Sequence, residues 1–104
     1  MTTNAQFHGE AEEELRDAVR YYEHQQPGLG EKFAIQIREE VALAVEEPMN
    51  GSPFEEGTRR RSLGRFPYSI IYLPDRFPIM IVAVMHQRRR PGYWLDRLRT
   101  IDED

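Results

Sequence analysis

The sequence predicts an α+β fold of two layers, in which an antiparallel sheet of about four strands packs against an N-terminal helical hairpin in the order β-α-α-β-β-β. Two observations carry this. Apolar residues recur at helical spacing from Glu10 to Pro48, broken once by a proline and two glycines, and after Gly57 the period changes to two. With 104 residues, 39% hydrophobic and 31% charged, the chain reads as one domain, residues 1–104, with a modest core and a charged exterior.

Ala5–His8 offers a short strand. Over Glu10–His24, Ala11, Leu15, Ala18, Val19 and Tyr22 fall on one face of a helix. Glu10, Glu12, Glu13 and Glu14 crowd its start, where free backbone N–H groups favour negative charge, so they read as a helix start and not as a catalytic carboxylate pair. Pro27-Gly28-Leu29-Gly30 ends the pattern, because proline removes a donor and glycine accepts turn dihedrals. A second helix follows, striped by Leu29, Phe33, Ala34, Ile37, Val41, Ala44 and Val45 up to Pro48, and the tight connection predicts an antiparallel hairpin. Ile35 falls off that stripe.

Met49 to Gly57 reads as loop. Arg59–Leu63 is a short polar strand; Phe66–Leu73 and Ile79–His86 are longer, rich in Ile, Val and Tyr, and joined by a turn at Pro74–Pro78. Short connections favour an antiparallel meander, one face of which the helices must cover. Gly92–Leu98 predicts a closing turn of helix and Asp102–Asp104 a frayed tail.

Composition excludes several chemistries. Without cysteine there is no disulfide framework, thiolate metal site or thiol nucleophile. His8, His24 and His86 have no metal-ligand spacing, so neither metal nor cofactor is expected. Gly28-Leu29-Gly30 follows a helix instead of a strand, against a phosphate loop, and no Gly-x-Ser-x-Gly elbow occurs. The longest apolar run, Ile79–Met85, falls far short of the roughly 20 residues that span a bilayer, and Met1–Glu10 lacks an export signal. A cytoplasmic protein with no membrane partner is expected.

The net charge of −4 hides an asymmetry. Met1–Gly57 holds 4 basic and 13 acidic residues, whereas Thr58–Asp104 holds 10 basic and 5 acidic. The basic half culminates at the end of the last strand, where His86, Arg88, Arg89, Arg90, Tyr93, Trp94 and Arg97 fall within twelve residues. Such a cluster suits phosphates or a carboxylate-rich partner. Arg59, Arg60, Arg61 and Arg65, on or beside a neighbouring strand, would extend it into one basic face. The plainer alternative is that these arginines neutralise the acidic helices while Trp94 plugs the core.

Four stretches in order, Ala11-x-x-x-Leu15 leading to Tyr21-Tyr22-Glu23, Pro27-Gly28-Leu29-Gly30-x-x-Phe33, Arg60-Arg61 before Phe66-Pro67-Tyr68-Ser69-Ile70-Ile71-Tyr72, and Val82–Arg89 with Tyr93-Trp94, resemble the RelE/ParE toxin superfamily of type II toxin–antitoxin systems. The resemblance covers nearly the whole chain. It implies a growth-arresting toxin of the plasmid-stabilization kind, neutralised by a cognate antitoxin. The Phe-Pro-Tyr strand and the His-x-Arg-Arg ending resemble the ParE side, which implies DNA gyrase as target and no catalytic site of its own. The target would then be met by Arg65, His86, Arg88, Arg89, Arg90, Tyr93 and Trp94.

The alternative is the RelE-like branch, a ribosome-dependent mRNA endonuclease, in which His86, Arg88, Arg89 and Tyr93 would be catalytic. Against it, that branch carries a basic residue after the tyrosine of the central strand, where this sequence has Ser69, and a net charge of −4 ill suits an RNA-rich surface. A third alternative is a non-toxic protein-binding module. The antitoxin surface is expected to include Tyr21, Ile35 and Phe54, and a homodimer is compatible with the sequence.

Overall fold

The computed structural model describes residues 4–102. Its elements are β1 (Ala5–Phe7), α1 (Gly9–Gln25), α2 (Leu29–Glu46), β2 (Ser52–Pro53), β3 (Arg59–Ser62), β4 (Tyr68–Leu73), β5 (Ile79–His86) and α3 (Asp96–Asp102). The fold is the α+β arrangement that the periodicity predicts, with two N-terminal helices on a sheet and a short C-terminal helix. The sheet has five strands in the order β1-β5-β4-β3-β2.

The sheet is mixed where an antiparallel one was expected, because β1 pairs parallel with β5, Ala5 opposite Ile79 and Phe7 opposite Ile81. Short connections dictate direction only between consecutive strands, and β2 to β5 are antiparallel accordingly. No hairpin joins β1 to β5, so nothing local fixes the direction of β1. The fifth strand, β2, is two residues long, too short for its period to be read in sequence.

The helical hairpin closes differently from a pair of flexible glycines. Gly28 does take the left-handed conformation, φ 89°, as the turn requires. Gly30 is helical, and its role is close approach, since a Cβ there would lie 2.6 Å from the Val19 carbonyl oxygen of α1. Gly28 offers α2 no capping side chain, and the Glu23 carboxylate of α1 supplies the acceptors instead, taking the Gly28 and Gly30 N–H groups at 3.0 Å each. At the start of α1, His8 is the N-cap: its Nδ1 accepts from Glu10 N–H at 3.1 Å, while Nε2 lies 3.0 Å from Thr100 Oγ1 of α3.

Both faces of the sheet are covered. Ala18, Phe33, Ile37, Val41 and Ala44 of the hairpin pack on Leu63, Ile70, Tyr72, Ile79, Ile81 and Val84. On the opposite face Ile71, Val82, Ala83 and Met85 pack under Trp94 and Ile101 of the C-terminal segment. The register slips between these halves: Ile71 faces Ala83 but Tyr72 faces Ile81, so Val82 has no opposite residue and both Val82 and Ala83 turn toward Trp94. The closing helix lies later than predicted, at Asp96–Asp102, preceded by turns from 91 to 95. Of the expected tail, Asp102 ends α3, and residues 103 and 104 lie outside those described.

Candidate functional site

At the end of β5 the chain makes a turn pinned by its backbone. His86 Nδ1 accepts from Arg88 N–H at 3.0 Å, the His86 carbonyl accepts from Arg89 N–H at 3.0 Å, and Gln87 N–H donates to the Pro67 carbonyl at 2.9 Å. Arg88, Arg89 and Arg90 are all exposed on this turn. The His86 ring meets the Tyr68 ring edge-on, centroids 4.9 Å apart.

Beneath the turn lies a dense polar network. The Arg89 guanidinium lies over the Tyr93 ring, 3.8 Å from its centroid. Tyr93 OH donates to Glu14 Oε2 at 2.8 Å. Arg97, 7% exposed, binds Glu14 with both terminal nitrogens, at 3.0 Å to Oε1 and 2.7 Å to Oε2, and donates to the carbonyl of the slipped residue Val82 at 3.0 Å. Val84 N–H completes the set, donating to Glu14 Oε1 at 3.0 Å. Thus α1, β5 and the segment after it meet at one carboxylate. Burial opposes the Arg97 charge, but the hydrogen bonds and charge of Glu14 outweigh it and hold the guanidinium above its usual value.

Burial, and then the hydrogen bond and charge of Glu14, push the Tyr93 phenol well above its ordinary value of 10.0. A raised folded-state value means that the neutral phenol stabilises the fold below about pH 10, and this contribution is lost as pH rises beyond the unfolded value. Burial raises Tyr22 and Tyr68 in the same direction. The melting temperature is therefore expected to fall between about pH 9 and about pH 11, and to fall less steeply in Tyr93→Phe. An identical slope in the variant would remove Tyr93 as a cause.

A cleft of about 320 Å³ opens beside the network, between α1 and the end of β5, lined in part by Asp17, Tyr21, Tyr68, His86 and Arg89. The expected basic face does not extend further. Strand β4 separates β3 from β5, so the arginines of β3 lie two strand spacings, roughly 10 Å, from β5. They also have other engagements: Arg61 pairs with Glu40 of α2 at 2.8 Å, Arg59 donates to the Gly51 carbonyl at 2.6 Å, and Arg60 stacks 5.1 Å from the Phe54 ring centroid. For β3 the plainer alternative holds in part, since Arg61 neutralises an acidic helix. Arg65 is exposed in the turn between β3 and β4, and its N–H donates to Gln36 Oε1 at 3.2 Å.

Trp94, expected among the residues that meet the target, lies where the plainer alternative puts it, in the core. It is 0% exposed, stacked against Phe54 with centroids 5.9 Å apart, at the centre of the second core. The same stack takes Phe54 away from the other two antitoxin candidates: Tyr21 and Ile35 are exposed on the helical hairpin, at 58% and 40%, whereas Phe54 packs on the opposite face of the sheet. Among the described residues no three His, Asp or Glu side chains converge as a metal site, and no helix is long and apolar enough to cross a membrane.

The residue that sequence reasoning missed is Glu14. Grouped with its acidic neighbours it looked like part of a helix start, yet it lies three residues after Ala11 and four before Ala18, on the buried stripe. A carboxylate on an apolar stripe is the signal of a buried partner, here Arg97. The family model described as ParE toxin of type II toxin-antitoxin system, parDE, matches residues 5–91, from β1 through β5 and the arginine turn. A comparison with curated proteins returns no match.

Proposed function

This chain belongs to the ParE toxin family of type II toxin–antitoxin systems, and on that premise we propose that it arrests growth by engaging DNA gyrase through the arginine turn at the end of β5, without cleaving RNA. Membership implies a cognate antitoxin as partner. One observation carries the choice of action: His86 and Tyr93, the two groups that would move protons in an RNA-cleaving site, are engaged within the protein. Tyr93 OH is donated to Glu14 and its pKa is raised, which disfavours its ionisation. His86 Nδ1 accepts a backbone N–H, so that nitrogen is not free to take a proton from a 2′-hydroxyl. Ser69, where the RNA-cleaving branch carries a cation, is 7% exposed with its Oγ 3.2 Å from Ser62 Oγ.

What remains available is positive charge on a rigid turn. Arg88, Arg89 and Arg90 are exposed, and among the described residues none of them forms an ion pair with a carboxylate. Three adjacent guanidiniums favour an acidic surface on the target. For the antitoxin, the exposure of Tyr21 and Ile35 on the hairpin supports docking there; Tyr21 also lines the cleft that Arg89 borders, so only Ile35 stands clear of the arginine turn.

Pulsed induction in cells lacking the antitoxin, with the topology of a reporter plasmid and the integrity of mRNA followed together, tests the reading. Relaxed or broken plasmid with intact mRNA is expected. Supercoiled plasmid with cleaved mRNA would overturn it in favour of the ribonuclease and of His86, Arg88, Arg89 and Tyr93 as its site. Unimpaired growth would favour a non-toxic binding module.

A further inference from the structure

The three exposed arginines are not equivalent. Arg89 alone among them has its guanidinium laid on an aromatic ring, and that ring is fixed from below. A carboxylate offers about four acceptor positions, and in Glu14 all four are filled: Oε1 by Val84 N–H and Arg97 Nη1, Oε2 by Arg97 Nη2 and Tyr93 OH. Glu14 therefore has no capacity left for a ligand, and it holds one orientation because four donors from three segments of the chain converge on it.

From this we infer that Glu14 is a positioning residue for the target-binding surface, acting through the Tyr93 hydroxyl to hold the ring on which Arg89 is preorganised. The inference deepens the reading of the arginine turn as the target surface and rests on it. The link spans 79 residues of sequence between Glu14 and Tyr93, so α1 acts on a turn it precedes by most of the chain. Stacking uses the face of the guanidinium and leaves its N–H donors in the plane, directed away from the ring and free for a carboxylate of the partner. An arginine held this way loses less rotamer freedom on binding than Arg88 or Arg90, for which no ring contact exists among the described residues. Arg89→Ala is therefore expected to weaken inhibition more than Arg88→Ala or Arg90→Ala.

The test removes the link and keeps the ring. Glu14→Gln would place an amide donor against donors and strand the buried Arg97 charge, so it risks the fold; Tyr93→Phe deletes only the hydroxyl. Two measurements are made on the full chain. The first is the proton NMR shift of the Arg89 side chain, moved upfield by the ring beneath it in the wild type and expected to relax toward its random-coil value in Tyr93→Phe. The second is inhibition of purified gyrase by wild type, Tyr93→Phe, Arg89→Ala and the double variant. Tyr93→Phe is expected to lose roughly three- to tenfold in potency, the scale of a guanidinium–ring contact, and to lose nothing further in the Arg89→Ala background.

A merely structural hydroxyl would lower the melting temperature equally in both backgrounds without this coupling. An Arg89 shift unchanged in Tyr93→Phe, or equal potency losses in both backgrounds, overturns the positioning role. Full potency in Arg89→Ala overturns the target-surface reading itself, and the NMR shift then still reports separately whether the hydroxyl holds the ring.

Discussion

Arg88→Ala combined with Arg89→Ala abolishes growth arrest and leaves both the circular dichroism spectrum and antitoxin binding unchanged: this is the result expected if the end of β5 meets the target. The geometry separates function from folding at these two positions. The turn is held by the backbone N–H groups of Arg88 and Arg89 bonding to His86, and alanine keeps both. The side chains are exposed, and among the described residues their one ring or ion-pair contact is the Arg89–Tyr93 stack, so the folding cost is about 0.5–1 kcal/mol. For target binding, two cations are removed at once from a surface whose attraction is electrostatic, which lowers both affinity and encounter rate. Antitoxin docking around Ile35 on the helical hairpin would be spared, and Tyr21, which borders the same cleft as Arg89, keeps its own side chain in the variant. A double variant that remains fully toxic would sink the assignment of this turn, and a variant that also loses antitoxin binding would mean that toxin and antitoxin functions share it.

The parts of this fold that were legible in sequence are those fixed by local periodicity. Gly9–Gln25 and Leu29–Glu46 lie within one or two residues of the helical stripes, and Ile79–His86 coincides with its apolar run. The direction of β1 was not legible, because a three-residue strand pairing with one seventy residues later is oriented by the packing of what lies between. The cover on the second face had a readable sign that the meander picture passes over: Ile70, Ile71 and Tyr72, and Ile79 to Met85, are nearly continuous in apolar character, the pattern of strands buried on both sides. At the site, the basic cluster was legible as composition. Which of its members are exposed, which are paired and which lie in the core depends on β4 separating β3 from β5, which the meander already implies, and on the register slip at Val82, which leaves no mark in the sequence.

Trp94 illustrates that limit and gives the largest expected effect on stability. Trp94→Ala is expected to destabilise the protein by about 3–5 kcal/mol, the usual range for truncating a large buried aromatic. At roughly 4–8 °C per kcal/mol for a chain of this size, the melting temperature falls by more than about 12 °C. The side chain is 0% exposed, stacks on Phe54 and bridges Ile71, Val82, Ala83 and Met85 of the sheet to Ile101 of α3, so its loss opens a cavity under the whole C-terminal segment. Trp94→Phe should be much milder. The indole Nε1 is buried with no protein hydrogen-bond partner, so replacing it by a hydrocarbon ring breaks no bond and removes an unsatisfied donor that itself costs about 1–3 kcal/mol. The void left by the smaller ring works against that gain, and the two nearly offset. Thermal melts of the three proteins decide it. If Trp94→Ala melted like the wild type yet no longer arrested growth, the residue would have to act at the target and not in the core. If instead it loses stability and Trp94→Phe retains both stability and toxicity, the aromatic at the end of the basic cluster is there to anchor α3, and with it Arg97, which holds Glu14 beneath the arginine turn.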